Sequence, residues 1–305
     1  MDVSIVIVNY NTKELLRQCI ESIYEQTKEL DFEIIISDNG STDGSIEMLK
    51  ANFSKVIVIS NNENLGFGRA NNRGQAIAKG KYIFYLNSDT ILLNNAVKIF
   101  FDYFEKNENQ GLGAIGCNLC NKNFQTNFSY GDFGTSFGHI KELIKNILKN
   151  NKYTLNKILF HKPFPDIPTE SSVKQNKYGA VDYICGADLF MKNNALARFD
   201  ENYFLYFEEI DLQYNLFRNK LSRELIDGPR IMHLQGGSAK TTKKEVLFLT
   251  NFSEIQSNLS SIYYYKKNIS SKFSLFFIKL LTIMMLSNPY IRSKTKQYFK
   301  KIMST

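Results

Sequence analysis

The stretch Val3-Ser-Ile-Val-Ile-Val-Asn-Tyr-Asn11, followed by Leu15-Leu-Arg-Gln-Cys-Ile-Glu-Ser-Ile23 and Glu33-Ile-Ile-Ile-Ser37, decides the fold. A short unbroken run of β-branched residues closed by polar turn residues reads as a strand buried on both faces. Leu15, Cys19 and Ile23 recur at helical spacing with Leu16 and Ile20 beside them, a stripe that covers one face of a sheet. Strand, helix and strand in succession is the pattern of an α/β protein with a parallel sheet. Working outward, Val56 to Ser60 and Tyr82 to Leu86 read as further strands, 96–106 as a helix and 113–126 as one or two strands. The leading strands all end in Asn-, Ser- or Gly-rich turns, and open α/β sheets bind ligands at the carboxyl ends of their strands.

From about Tyr130 to Lys177 the pattern degrades, with Pro163, Pro165 and Pro168 near its end, and the segment reads as an insertion or acceptor-side subdomain. Lys141, Lys145, Lys149, Lys152 and Lys157 fall inside it, either as a membrane- or phosphate-facing patch or as a solvated helix face. Regularity resumes with a strand at Tyr178 to Cys185, a helix at about Asp211 to Leu221 and a strand near Arg230 to His233.

Composition bounds the rest. The 305 residues are 43% apolar and 22% charged, with four scattered cysteines, which fits a folded enzyme of one or two domains and no disulfide framework. The net charge of +8 is unevenly placed, because nine Lys and Arg and no acid follow Glu254, leaving −1 for residues 1–254. A neutral body disfavours a nucleic-acid binder, and the basic tail suits an anionic membrane surface. The start lacks the basic and long apolar regions of a secretory segment, so a cytoplasmic protein is expected. Phe273 to Leu286 is fourteen residues long and carries Lys279. As a helix it would reach roughly 21 Å, short of a ~30 Å bilayer core.

Several short segments could carry chemistry. Asn87-Ser88-Asp89 closes a strand with a carboxylate, a hard ligand for a cation that bridges a diphosphate, although the triplet is also ordinary turn chemistry. Ser37-Asp-Asn-Gly-Ser-Thr-Asp-Gly-Ser45 could offer Asp38 and Asn39 to a base or ribose, or simply form a turn and helix cap. Glu208, Glu209 and Asp211 crowd three carboxylates into four positions, suiting either a general base with a raised pKa or acidic capping of a helix. His233 ends a strand before Gly236-Gly237-Ser238, as a ligand or as a structural histidine. Cys117 and Cys120 form a CxxC without a partner pair, which argues against zinc. A Walker motif and a GxGxxG after the first strand are both missing, so phosphate-loop kinases and dinucleotide enzymes are disfavoured.

Taken in order, residues 2–240 resemble the inverting family 2 glycosyltransferases of GT-A fold, particularly the rhamnosyltransferase-like branch. The resemblance rests on Val3 to Asn11, the 37–45 loop, Asn64-Leu-Gly-Phe-Gly-Arg-Ala-Asn-Asn72, Leu86 to Asp89, Cys185-Gly-Ala-Asp-Leu-Phe-Met-Lys192, Tyr206 to Leu212, and His233 with its glycines. It implies that Asn9, Tyr10, Asn11, Asp38 and Asn39 hold the nucleotide. It places Asn64, Gly66, Phe67, Asn71, Gly186 and Ala187 at the nucleotide-sugar. Asn87, Ser88 and Asp89 correspond to the DxD-like triplet, with Asp89 and His233 on a divalent cation, Mn²⁺ or Mg²⁺. Glu209 corresponds to the base. Asn87 replaces the first Asp of a full DxD, and Glu209 replaces the usual Asp, so Glu208 is an alternative base.

The resemblance divides the chain into a catalytic domain at 1–245 and a basic helical tail at 246–305. The nucleotide-sugar half takes about 1–126, the insertion about 130–177 and the acceptor half about 178–245. It implies transfer from a nucleotide-diphospho-sugar, dTDP-rhamnose or a UDP-hexose, to a saccharide on a polyprenyl-diphosphate lipid at the inner face of the membrane. A sugar-phosphate nucleotidyltransferase would want a Gly-rich loop with Arg and Lys after the first strand, and Val8 to Thr12 has neither. A non-catalytic scaffold would have no need of Asp89 or of the acids at 208–211, all of which are present.

Overall fold

A computed structural model describes residues 1–161, 176–234, 252–269 and 271–288, with Tyr298 and Ile302. The prolines at 163, 165 and 168, the glycines after His233 and the basic residues Arg292, Lys294, Lys296, Lys300 and Lys301 lie outside the described residues.

The chain runs β1 (Val3–Asn9), α1 (Lys13–Gln26), β2 (Phe32–Asp38), α2 (Ser45–Asn52), β3 (Ile57–Ser60), α3 (Phe67–Gln75), β4 (Tyr82–Asn87), β5 (Thr90–Leu92), α4 (Ala96–Lys106) and β6 (Leu112–Gly116). It continues through β7 (Tyr130–Gly131), α5 (Ser136–Phe160), β8 (Gly179–Ala180), β9 (Tyr183–Ile184), β10 (Asp188–Lys192), α6 (Glu208–Arg218), β11 (Ser222–Leu225), β12 (Ile231–His233), α7 (Phe252–Asn268) and α8 (Lys272–Leu286). These form two compact units. One takes its described residues from Met1–Phe133, Ser171–Asn202 and Glu208–Thr241, the other from Gly134–Glu170, Tyr203–Phe207 and Thr242–Thr305.

The first unit is built on an eight-stranded sheet of order β3-β2-β1-β4-β10-β6-β11-β8. The first four of these strands are parallel, as their continuous apolar runs require, because both faces are covered. Ile5 and Ile7 of β1 face the α1 stripe of Leu16, Cys19, Ile20 and Ile23, while Val6 packs on the other side with Ile35, Tyr85, Leu212 and Leu216.

β10 interrupts this pattern. It runs antiparallel between β4 and β6, pairing Asp188 with Leu86 and Lys192 with Tyr82. Phe190 anchors it in an aromatic cluster, with ring centroids 5.4 Å from Tyr82, 5.9 Å from Phe84, 5.6 Å from Phe100 and 5.9 Å from Phe104.

Where the sequence pattern degrades, the structure has α5, a 25-residue helix. Its apolar residues lie on two faces, Leu143 buried and Leu148 and Leu155 exposed, so no single stripe shows in the sequence. Two other expectations need correction. The strand expected over Tyr178 to Cys185 is two short strands, because β8 pairs with β11 and β9 with β7. α6 starts three residues earlier than expected, so Glu208 and Glu209 stand in its first turn, where the helix dipole favours them.

In the second unit α7 grips the turn that leads into α6. Ser260 Oγ donates to the Leu205 carbonyl at 2.9 Å, and Tyr263 and Tyr264 pack on Tyr203 and Phe207 at 4.9 and 5.5 Å. Phe190→Ala should lower the unfolding free energy by about 3–5 kcal/mol in urea titration, the usual cost of emptying a fully buried aromatic site. A loss under about 1 kcal/mol would mean that the cluster does not fix β10.

Candidate active site

The loops after β1, β2, β3 and β4 are joined by side-chain hydrogen bonds. Asn9 Nδ2 donates to Asp38 Oδ2 at 2.6 Å and to Ser41 Oγ at 3.0 Å, and the Ser41 amide donates to Asp38 Oδ1 at 2.9 Å. Asp38 is fully buried with both oxygens engaged, so it holds the loop from within. Thr12 Oγ1 bonds Asn9 Oδ1 at 2.6 Å and Ser88 Oγ at 2.9 Å, which ties the β1 loop to the 87–89 triplet. Asn61 Nδ2 donates to Ser37 Oγ and Asn39 Oδ1, and Asn39 Nδ2 donates to Asn64 Oδ1 at 3.3 Å and the Gly66 carbonyl at 3.1 Å. Tyr10 and Asn11 remain exposed on this frame, and Asn71 bonds the Phe67 carbonyl of its own helix at 3.2 Å.

β10 carries the second half of the site to the first. The Asn87 amide donates to the Ala187 carbonyl at 3.1 Å, which sets Gly186-Ala187 beside the triplet. Gly186 fills a narrow gap, since a Cβ built on it would lie 3.5 Å from both Glu209 Cβ and Phe67 Cε1. Phe67 and Glu209 therefore both lie within contact range of Gly186. Glu208 lies elsewhere: it is buried, and its Cβ faces Gly68 of α3.

Burial raises the Glu209 carboxyl above its ordinary value, opposed by the amides of Glu209 and Ile210 at the helix start. Its Oε2 is sequestered with no hydrogen-bond partner among the described residues. Asp211 is buried in the same turn.

His233 reaches Asp89 through a short β-pair, β12 against β5, with His233 opposite Thr90. Its Nε2 lies 3.2 Å from Asp89 Oδ1, and both side chains are 13% exposed. The Leu234 amide donates to the Asp89 carbonyl at 2.9 Å, fixing the approach. No third His, Cys, Asp or Glu joins them among the described residues. A carboxylate oxygen and an imidazole nitrogen side by side are both donors that a divalent cation accepts.

Some organising residues escaped the sequence reading. Gln213 is fully buried. It accepts from the Ile184 amide at 2.8 Å and donates to the Ile184 carbonyl at 2.7 Å and the Glu209 carbonyl at 3.1 Å, clamping the start of α6 to β9. Its signal was there: an amide four residues after Glu209, between Leu212 and Leu216 on an apolar face. Thr12 and Ser41 gave none, being ordinary turn residues. Tyr206 and Phe207, just before α6, both have φ of +68°, which costs roughly 1–3 kcal/mol each for a non-glycine residue.

The comparisons with known proteins bear on this geometry. The model of the family described as "Glycosyl transferase family 2" matches residues 4–163, more than half of the 305-residue chain. The chain belongs to this family. A poly(ribitol-phosphate) beta-glucosyltransferase of Bacillus spizizenii is 37% identical over 114 residues, 35% of this chain and 18% of that protein. The UDP-Glc:alpha-D-GlcNAc-diphosphoundecaprenol beta-1,3-glucosyltransferase WfaP of Escherichia coli is 38% identical over 112 residues, 33% of this chain and 44% of that protein. The matched stretch thus spans less than half the length of each curated relative. Among solved structures, the mannosyltransferase PcManGT of Pyrobaculum calidifontis in complex with GDP-Man and Mn²⁺ superposes with a TM-score of 0.53 at 12% identity, covering 99% of this chain and 73% of that one. The likeness shows the GT-A fold.

Behind the site, Asp188 opens β10 fully buried. Burial pushes its carboxyl up to about 8, although the Cys117 amide, donating to it at 2.7 Å, lowers it. Because the folded value exceeds the unfolded one of about 4, folding favours the neutral acid. The contribution of Asp188 to stability should fall as pH rises from about 4 to about 8. Asp188→Asn should therefore gain on the wild type in denaturant midpoint between pH 5 and pH 9. A difference that stays constant, or moves the other way, would show Asp188 to be ionised throughout.

Proposed function

We propose that the chain is an inverting glycosyltransferase that moves a hexosyl residue from a nucleotide-diphospho-sugar to a hydroxyl of a saccharide acceptor. The observation that carries this reading is Glu209, whose half-buried side chain lies against Gly186, one residue from the Ala187 carbonyl that accepts from the Asn87 amide. In this reading Glu209 takes the proton of the acceptor hydroxyl as its oxygen attacks the anomeric carbon in line with the departing diphosphate. One carboxylate suffices, whereas a glycosidase needs two flanking the bond. Asp89 and His233 would hold Mn²⁺ or Mg²⁺, which neutralises charge on the leaving diphosphate. Asn9, Asn39 and Asn64 hold the loops on which base and ribose would rest, with Tyr10 and Asn11 presented to them. Asp38 acts through Asn9 and Ser41 as a positioning residue.

The name of WfaP supports a UDP-hexose donor and a lipid-diphosphate-linked acceptor, and dTDP-rhamnose is the alternative donor. Such an acceptor places the enzyme at the inner face of the cell membrane, held peripherally. No described helix is long and apolar enough to cross a membrane. A thermal-shift panel of UDP-, dTDP- and GDP-sugars with and without Mn²⁺ would identify the donor, since a ligand at 100 times its Kd adds about 2.7 kcal/mol.

Glu209→Gln should lower the transfer rate by at least ~10² with nucleotide affinity nearly unchanged, because the amide keeps the shape but cannot take a proton. Near-normal turnover in Glu209→Gln with loss in Glu208→Gln would move the role one residue back. Because the base works deprotonated and its carboxyl is raised, the acidic limb of the wild-type rate profile should lie above the value of an ordinary glutamate, about 4.3.

Asp89→Ala and His233→Ala should each weaken Mn²⁺-dependent nucleotide binding in calorimetry. In the double variant the losses should not add, since both report on one ion. Full activity in excess chelator would remove the metal from the mechanism.

A further inference from the structure

The second unit carries two apolar stripes that its own packing leaves uncovered. In α5 the buried side chains are Leu143, Asn150 and Thr154, on the face that packs along α8, where Asn288 Nδ2 donates to Thr154 Oγ1 at 2.9 Å. Phe137, Ile144, Leu148, Leu155 and Leu159 recur at spacings of seven and four along another face, with Phe137 78%, Leu148 64% and Leu159 58% exposed. This stripe is about 33 Å long at 1.5 Å per residue. Exposed Lys141, Lys145 and Lys152 run along its flank, and Glu142 is the one acid in the helix.

α8 repeats the arrangement. Ile278, Thr282, Met285 and Leu286 are buried, and Phe273, Phe276, Leu280 and Met284 stand exposed on the opposite side. Lys272 and Lys279 accompany them, with no acid in the helix. A monomer seldom exposes so much contiguous apolar surface without a partner for it.

We propose that the exposed stripe of α5 docks the protein on an anionic lipid bilayer. The charge decides between occupants. A second copy of the chain would bring lysines against lysines, whereas an anionic leaflet offers counter-charge to the lysines and acyl chains to the stripe between them. A helix lying in the membrane interface needs this pairing of an apolar face with basic flanks. The proposal rests on the reading that the acceptor is lipid-linked, because it names the surface that brings the enzyme to such an acceptor.

The test is co-sedimentation of the full chain with vesicles of phosphatidylglycerol and phosphatidylcholine, or of phosphatidylcholine alone, at low and physiological salt. Binding should require phosphatidylglycerol and weaken with salt, each lysine near the surface being worth about fivefold. Lys141→Glu/Lys145→Glu/Lys152→Glu should lose at least ~10² in affinity, and Leu148→Ser/Leu155→Ser at least about tenfold. Both sets change exposed side chains and should keep the wild-type melting temperature. Phe137→Ser/Leu159→Ser provides an independent pair on the same stripe should either set fail to fold.

Wild-type binding by all these variants, or a wild type that ignores phosphatidylglycerol at low salt, overturns the proposal. So does a wild-type dimer in sedimentation velocity that Leu148→Ser/Leu155→Ser converts to monomer, which would assign the stripe to self-association. Donor hydrolysis and transfer to a water-soluble acceptor, measured without vesicles, separate the two readings. Transfer without vesicle binding leaves the enzyme reading standing and the docking face refuted. Vesicle binding without transfer does the reverse.

Discussion

The antiparallel insertion of β10 between β4 and β6 is the constraint on which the rest of the first unit depends. A parallel sheet alone presents its loops at one edge, but those loops come only from strands that run the same way. Reversing one central strand lets the segment before it, Cys185 to Ala187, arrive at the edge where β4 ends. Phe190 holds that reversal in place through four aromatic neighbours. Asp188 holds it through the Cys117 amide, at the cost of burying an acid whose carboxyl burial pushes up. Without this strand, Gly186 would have no reason to lie beside Asn87 or against Glu209.

The site is consequently an assembly of asparagines, hydroxyls and backbone, with few charges. Asn9, Thr12, Ser41, Asn39 and Asn61 form a continuous hydrogen-bonded frame, and buried polar groups that satisfy one another in this way rigidify a loop region. Of the other ionisable groups, Asp89 pairs with His233 and Glu209 lies against Gly186. Glu209 owes its raised carboxyl chiefly to burial and its position to the Gln213 clamp on β9. The turn before it is strained at Tyr206 and Phe207, and α7 grips that turn.

Much of this was legible in order along the chain. β1, β2, β4 and α4 lie where their apolar runs and helical stripes place them, because a strand buried on both faces and a helix with one covered face leave direct periodic traces. The motif residues Asn9, Asn39, Asn64, Asn87 and Asp89 all fall at the ends of strands or the starts of helices, as polar turn residues must. α5 and β10 were not legible. A helix with apolar residues on both a packed and an exposed face shows no clean period, and Asp188-Leu-Phe-Met-Lys192 has nothing in it to say which way it runs.

The sequence by itself determined the α/β class, the family and the set of acids and asparagines available for chemistry. Those follow from local composition and from motif order, which need no knowledge of distant neighbours. Only the tertiary structure decided which of the candidates meet. Neighbouring residues on a helix point about 100° apart. Which of Glu208 and Glu209 faces Gly186 therefore depends on how α6 is rotated against β9, and a contact between residues 184 and 213 sets that rotation. Asp38 likewise looks like a free ligand in the sequence and is an internal strut in the fold, because its partners Asn9 and Ser41 meet it only when β1 and β2 pair.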